Sequence, residues 1–189
     1  MKTMKHDKTS PIRGKATRNN AGMDSRMQRT ARFSPCKEYR YSLSRTWDRS
    51  LPRILFIGLN PSTADDKSDD PTVRRCIGFA KTWGFGGLIL VNLFAYRTTD
   101  PSGLTEVDDP VGRDNDHWIA VEQTRANRVV AAWGNLGTLL GRNETVLGCL
   151  NRVHCLGVTK TGCPRHPLYL SATTPLQVFN GTLRRQRAG

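Results

Sequence analysis

Ile54-Leu55-Phe56-Ile57-Gly58-Leu59-Asn60-Pro61-Ser62 is the stretch on which the fold turns. Four large apolar residues run into Gly58, and a turn-forming Asn-Pro-Ser follows at once. A short apolar run bounded by turn residues reads as a strand buried on both faces. Pro61 keeps Asn60 out of helical geometry, so the chain leaves the strand extended and then turns sharply. A polar side chain therefore stands at the carboxyl end of a central strand. In open α/β sheets that is where ligands bind.

Working outward, the same alternation of buried runs and helical patterns recurs. Before the central strand, Glu38 to Leu43 alternates, with Tyr39, Tyr41 and Leu43 on one face and Arg40 and Ser42 on the other. That pattern reads as a half-buried strand at a sheet edge. After Ser62 comes an acidic loop with Asp65, Asp66, Asp69 and Asp70. Asp70-Pro71 reads as an N-cap followed by proline at the first helical position. Val73, Cys76, Ile77 and Ala80 then recur at helical spacing, while Arg74, Arg75 and Lys81 face elsewhere. Leu88 to Ala95 is a second buried strand whose one polar residue is Asn92. A long loop follows to Asp114, then a helix carrying Trp118, Ile119 and Val121. Val129 to Trp133 reads as a third strand, about Thr138 to Asn151 as a helix, and His154 to Thr159 as a fourth strand. Strands alternating with helices imply an α/β fold, a three-layer α/β/α sandwich with a mainly parallel central sheet of about four strands.

Charge divides the chain. Residues 1–33 carry nine Lys/Arg against two Asp, and residues 184–189 carry three Arg, so only +3 of the total +13 remains for residues 34–183. Residues 1–33 are poor in large apolar groups and read as a disordered basic tail, and 184–189 as a second one, around a single domain at 34–183. Basic tails alone are weak evidence for a nucleic-acid partner. The five cysteines are odd in number and contain no Cys-x-x-Cys pair, which fits a reduced, cytoplasmic setting and no metal. The Asp65–Asp70 cluster lacks the Gly and distal Glu of a calcium loop. No apolar run is long enough to span a membrane, and no cofactor is expected.

Three polar features follow or interrupt the buried strands: Asn60, Asn92 and the Arg165-His166-Pro167 loop. Each also has a plain structural reading. Asn-Pro is a common turn pair, Asn92 would serve as a buried hydrogen-bonding group, and His166 would sit in a surface loop. Taken together, their order and strand placement resemble the uracil-DNA glycosylase superfamily over about Tyr39 to Leu176. Gly58-Leu59-Asn60-Pro61-Ser62 is similar to that superfamily's first motif in its Gly-x-Asn-Pro form. Leu90-Val91-Asn92 resembles the strand whose Asn reads the flipped base, and His166-Pro167-Leu168 the motif whose His bonds the departing base. Asp70-Pro71-Thr72, Arg74-Arg75-Cys76, Asn92-Leu93-Phe94-Ala95, Ala132-Trp133-Gly134 and Pro164 to Leu170 resemble more closely a bacterial and phage family, a domain of unknown function within it.

The resemblance implies a DNA glycosylase that hydrolyses the N-glycosidic bond of a flipped base. On that reading Asn60 and His166 are catalytic, and Gly58, Leu59, Asn92 and Phe94 bind the base. Asn60 orients a water through its side-chain oxygen but cannot ionise, so a carboxylate is wanted, and Asp65 and Asp66 are nearest in sequence. Ser62, Thr63, Arg74, Arg75, Lys160, Arg165, Leu168 and Tyr169 would contact nucleic acid, with Leu168 or Tyr169 as the wedge. Where the fast uracil enzymes carry Tyr-His after the first motif this chain has Ser62-Thr63, which points to a modified or damaged base as readily as to uracil. DNA is the expected partner and the protein a monomer. Two other functions share the same residues: an enzyme of this fold acting on free nucleotides or in base modification, and a non-catalytic base-binding module.

Overall fold

A computed structural model of the chain describes residues 27–181. Most of the basic tail expected over 1–33, and the one at 184–189, lie outside the described residues. The expected boundary at residue 34 moves, because Gln28–Phe33 forms the first strand, β1. Its side chains alternate exposed and half-buried, so it lacks the apolar run that marks a strand in sequence. What holds it is the antiparallel ladder to β2 (Arg40–Thr46), whose backbone bonds are indifferent to side-chain type.

The described residues form one seven-stranded mixed sheet and three α-helices. After β1 and β2 come β3 (Arg53–Gly58), α1 (Pro71–Thr82), β4 (Gly87–Asn92), α2 (Asn115–Thr124), β5 (Arg128–Ala131), α3 (Arg142–Gly148), β6 (Val153–Cys155) and β7 (Gln177–Val178). The strand order is β1-β2-β4-β3-β5-β6-β7. The four central strands β4, β3, β5 and β6 are mutually parallel. The margins are antiparallel: β1 on β2, β2 on β4, and β7 on β6. The expectation of a mainly parallel sheet of about four strands thus describes the centre; β2 is expected from the sequence too, and β1 and β7 are the marginal strands missed.

β3 sits at the middle with every residue from Ile54 to Gly58 buried. Its alternate residues serve two apolar clusters. Ile54 and Phe56 join Leu88, Leu90 and the α1 residues Val73, Cys76, Phe79 and Ala80. Leu55 and Ile57 join Ile89, Val91, Ile119 of α2 and Val146 of α3. The α1 boundary falls where Asp70-Pro71 predicts it: the Asp70 carboxylate accepts from the Val73 backbone N–H at 2.8 Å, with Pro71 first in the helix.

Two expectations fail for identifiable reasons. The strand expected over Glu38 to Leu43 is not an edge, since β1 covers it, and its polar face is buried too: Arg40 is 1% exposed and Ser42 5%. The helix expected over Thr138–Asn151 is a 3-10 segment at Asn135–Gly141 followed by the short α3. The break is at Leu139 and Leu140, where Leu140 takes a left-handed φ of 52° and Gly141 one of 64°.

No helix of the described residues is long and apolar enough to cross a membrane. Of the five free cysteines, Cys76, Cys155 and Cys163 are buried and Cys36 and Cys149 exposed. No described group of three or more His, Cys, Asp or Glu is placed to hold a metal ion.

Candidate functional site

At the carboxyl ends of β3, β4 and β5 the chain leaves a cavity of about 330 Å³, within the size range of small-molecule pockets, roughly 300–1,000 Å³. Gly58, Leu59, Asn60 and Ser62 line it from the β3 exit, Leu90 and Asn92 from β4, Trp133 to Leu136 from the β5 exit, and His166 and Tyr169 from the loop after β6. The three features picked out from sequence therefore meet in one place. Arg40, Asp70 and Thr72 also line it.

Asn60 is held by its amide nitrogen, which donates to the Thr98 carbonyl at 2.8 Å and to that of Pro61 at 3.1 Å. Both partners are carbonyls, so the nitrogen is the atom that faces them. Its Oδ1 has no partner among the described residues and remains an acceptor at the cavity. The loop that supplies Thr98 is itself tied back, with the Thr98 N–H donating to the Pro61 carbonyl.

Asn92 is oriented the opposite way. Its Oδ1 accepts from the Arg40 guanidinium at 3.4 Å, which leaves Nδ2, a donor, without a partner among the described residues. The backbone around it is clamped: the Asn115 amide donates to the carbonyls of Asn92 and Leu93, and Arg142 Nε donates to that of Leu93. Gly58 explains itself here. A Cβ at that position would stand 2.7 Å from Asn92 Nδ2, a distance that real Cβ atoms do not tolerate. Gly58→Ala is expected to cost about 1–3 kcal/mol by overpacking and to push the Asn92 amide off Arg40. Urea unfolding of the variant measures the cost directly.

His166 follows β6 in a loop fastened from two sides. Gly134 donates its N–H to the Pro164 carbonyl, and from α1 the Arg75 guanidinium donates to the carbonyls of Pro167 and Leu170. His166 Nδ1 accepts from the Leu168 backbone N–H at 3.3 Å, so in the neutral ring the proton sits on Nε2. Burial lowers the His166 pKa, and the Asp70 charge opposes that shift. At neutral pH the ring is an uncharged donor.

Two residues that sequence reasoning did not single out for the site prove central to it. Arg40, read as the outer face of an edge strand, is the cavity's buried cation. It donates to the Ala64 carbonyl at 2.8 Å and to Asn92, its Nε has no partner among the described residues, and desolvation pushes its pKa down to about 10. Asp70, read only as a helix cap, is 8% exposed and lines the same cavity. The available signal was β2's place beside β4, which residues alone do not reveal.

Other candidates lie elsewhere. Asp65 caps its own turn, accepting from Lys67 N–H, Ser68 N–H and the Ser68 hydroxyl, and these bonds hold its carboxyl below its usual value. Asp66 is exposed, and neither carboxylate lines the cavity. Phe94 is fully buried in the cluster with α2 and α3. Thr63 lies in a shallower groove with Ser62, Arg97 and Thr98. Arg74 is exposed and donates to the Asp69 carbonyl, and Arg75 is occupied with the His166 loop. Lys160, Arg165 and Leu168 line no part of the cavity, whereas Tyr169, 82% exposed, stands at its mouth with its ring 6.2 Å from that of His166.

The architecture and site define an α/β protein with a mixed sheet and a polar pocket across the carboxyl ends of its parallel centre. The chain belongs to the family described as Protein of unknown function (DUF1643), whose model matches residues 40–168. That match runs from Arg40 to Leu168 and so contains Arg40, Asn60, Asp70, Asn92 and His166 of the cavity, with Tyr169 just beyond it. No curated protein and no solved structure matches the chain.

Proposed function

We propose that the protein is a DNA glycosylase-like enzyme of the uracil-DNA glycosylase superfamily, hydrolysing the N-glycosidic bond of a flipped base. The two apolar clusters on either side of the sheet are what that superfamily's three-layer α/β/α arrangement requires. One observation carries the reading: a single cavity collects Asn60, Asn92 and His166 from three separate stretches of chain.

Each group suits a part of the chemistry. Breaking the bond puts positive charge on the sugar and negative charge on the departing base. The neutral His166 Nε2–H is a donor for that negative charge without being an acid strong enough to protonate the base outright. Asn92 Nδ2, fixed by Arg40, donates to an acceptor on the base. Asn60 Oδ1, left free by the bonds of its amide nitrogen, accepts from a water and orients it. Tyr169 and Leu168 are exposed aromatic and aliphatic groups beside the pocket, suited to filling the gap that an extruded base leaves.

The test is a panel of oligonucleotides, each with one uracil, mismatched, deaminated, oxidised or hypermodified base, treated with protein and then with alkali. Strand breaks at the modified position of at least one member are expected. An uncut panel overturns the excision reading, and hydrolysis of free nucleosides with no DNA cleavage moves the substrate to free nucleotides. The pH profile follows from the sign of the His166 shift. A histidine with its pKa below the ordinary value of about 6.5 stays neutral as pH falls through that value. Excision should hold through pH 6.5 and fall only below it, as a pH–rate profile would record.

A further inference from the structure

Resting on that reading, we propose that Asp70 is the catalytic base of the pocket, one carboxylate oxygen holding α1 while the other takes the proton of the attacking water. Among the described residues it is the one carboxylate that lines the cavity. Its Oδ1 accepts from the Val73 N–H, and its Oδ2 has no partner among the described residues. Its charge raises the pKa of both Arg40 and His166 against the effect of burial, and all three residues line the same cavity. Arg40 supplies an independent sign that something polar belongs there. It is 1% exposed, and among the described residues its Nε has no partner and no carboxylate lies within ion-pair distance of it.

The chemistry needs this group. Asn60 orients a water but has no basic site to accept its proton. The C1′–N bond breaks with its electron pair leaving on the base, whose charge the His166 Nε2–H bonds. The water oxygen forms the new bond to C1′, its proton passes to Asp70, and the base anion is protonated by that proton through solvent. Base and sugar hydroxyl are then both neutral, with no other reactant consumed.

Capping and catalysis separate cleanly by substitution, because Asn and Ser cap a helix about as well as Asp but cannot take the proton. Asp70→Asn and Asp70→Ser are expected to melt with the native protein, whereas Asp70→Ala, which loses the cap, melts lower. On the oligonucleotide that the native protein cuts, both capping variants should lose about a hundredfold or more in kcat with KM little changed. In the absence of any substrate, the His166 ring protons should titrate at lower pH in Asp70→Asn. Excision by Asp70→Asn and Asp70→Ser within a few-fold of native would overturn the proposal while leaving the glycosylase reading intact. A native protein that cuts nothing removes both, and an unmoved His166 titration contradicts the placement of Asp70 whatever the substrate.

Discussion

Arg45→Ala should be the most destabilising single substitution in β2, costing about 3 kcal/mol or more, a large share of the roughly 5–15 kcal/mol that holds a domain folded. Arg45 is completely buried. Its Nε donates to Asp69 Oδ1 at 2.7 Å, and its guanidinium also donates to the carbonyls of Asp65, Ser68 and Ser44. Removing it leaves Asp69 with one arginine fewer and those part-buried carbonyls without this donor, and a fully buried unmet group would cost about 1–3 kcal/mol. Asp69 keeps its contact to Arg29 at 2.7 Å, which limits the loss. The consequence reaches the pocket, because Asp65 to Asp69 is the segment that delivers Asp70 to the head of α1. Chemical denaturation is expected to give a lowered midpoint, and excision should fall with it even at temperatures where the variant is folded.

The second large effect is on chemistry. Asn60→Ala removes the free Oδ1 and both carbonyl bonds of the amide, and should lower kcat about 10²–10³-fold with a much smaller change in KM. Asn60→Asp is the more informative partner. The atom that now donates to the Thr98 and Pro61 carbonyls would become an acceptor facing two acceptors. The aspartate is therefore expected to destabilise the β3 exit and to leave the enzyme slow, not to convert it to a faster one. Steady-state kinetics of both variants, with thermal melts alongside, measure this.

The parts of the fold written in residue type were legible. Ile54–Gly58 is a buried strand because four large apolar residues in a row have no other stable home, and α1 begins at Asp70-Pro71 because cap and proline chemistry are local. What is not local was not legible. β1 reads Gln-Arg-Thr-Ala-Arg-Phe, and the backbone ladder to β2, with Arg29 on the distant Asp69, makes it a strand. Arg40 looks like part of a solvent face because arginine usually is, and nothing local in the sequence marks Arg45 as buried. Both are buried because carbonyls and carboxylates distant in sequence converge on them. The helix that periodicity suggests through Leu139 and Leu140 is interrupted by their non-helical backbone.

The site shows the same division. Asn60, Asn92 and His166 were legible because each ends, interrupts or follows a strand of the parallel centre. The pocket's carboxylate was sought at Asp65 and Asp66 by nearness in sequence to Asn60. It is Asp70, because the Asp65 turn folds on itself and only the end of that loop, at the head of α1, reaches the cavity.

Release of free base is the measurement closest to the central claim. The native protein, Asn60→Ala and His166→Ala would each be incubated with the modified-base oligonucleotides, and free bases and abasic strands counted by mass spectrometry. The cavity described here predicts one free base for each abasic site from native protein, and little from either variant. Equal release by native and Asn60→Ala proteins, or no free base from any oligonucleotide or nucleoside, would contradict it.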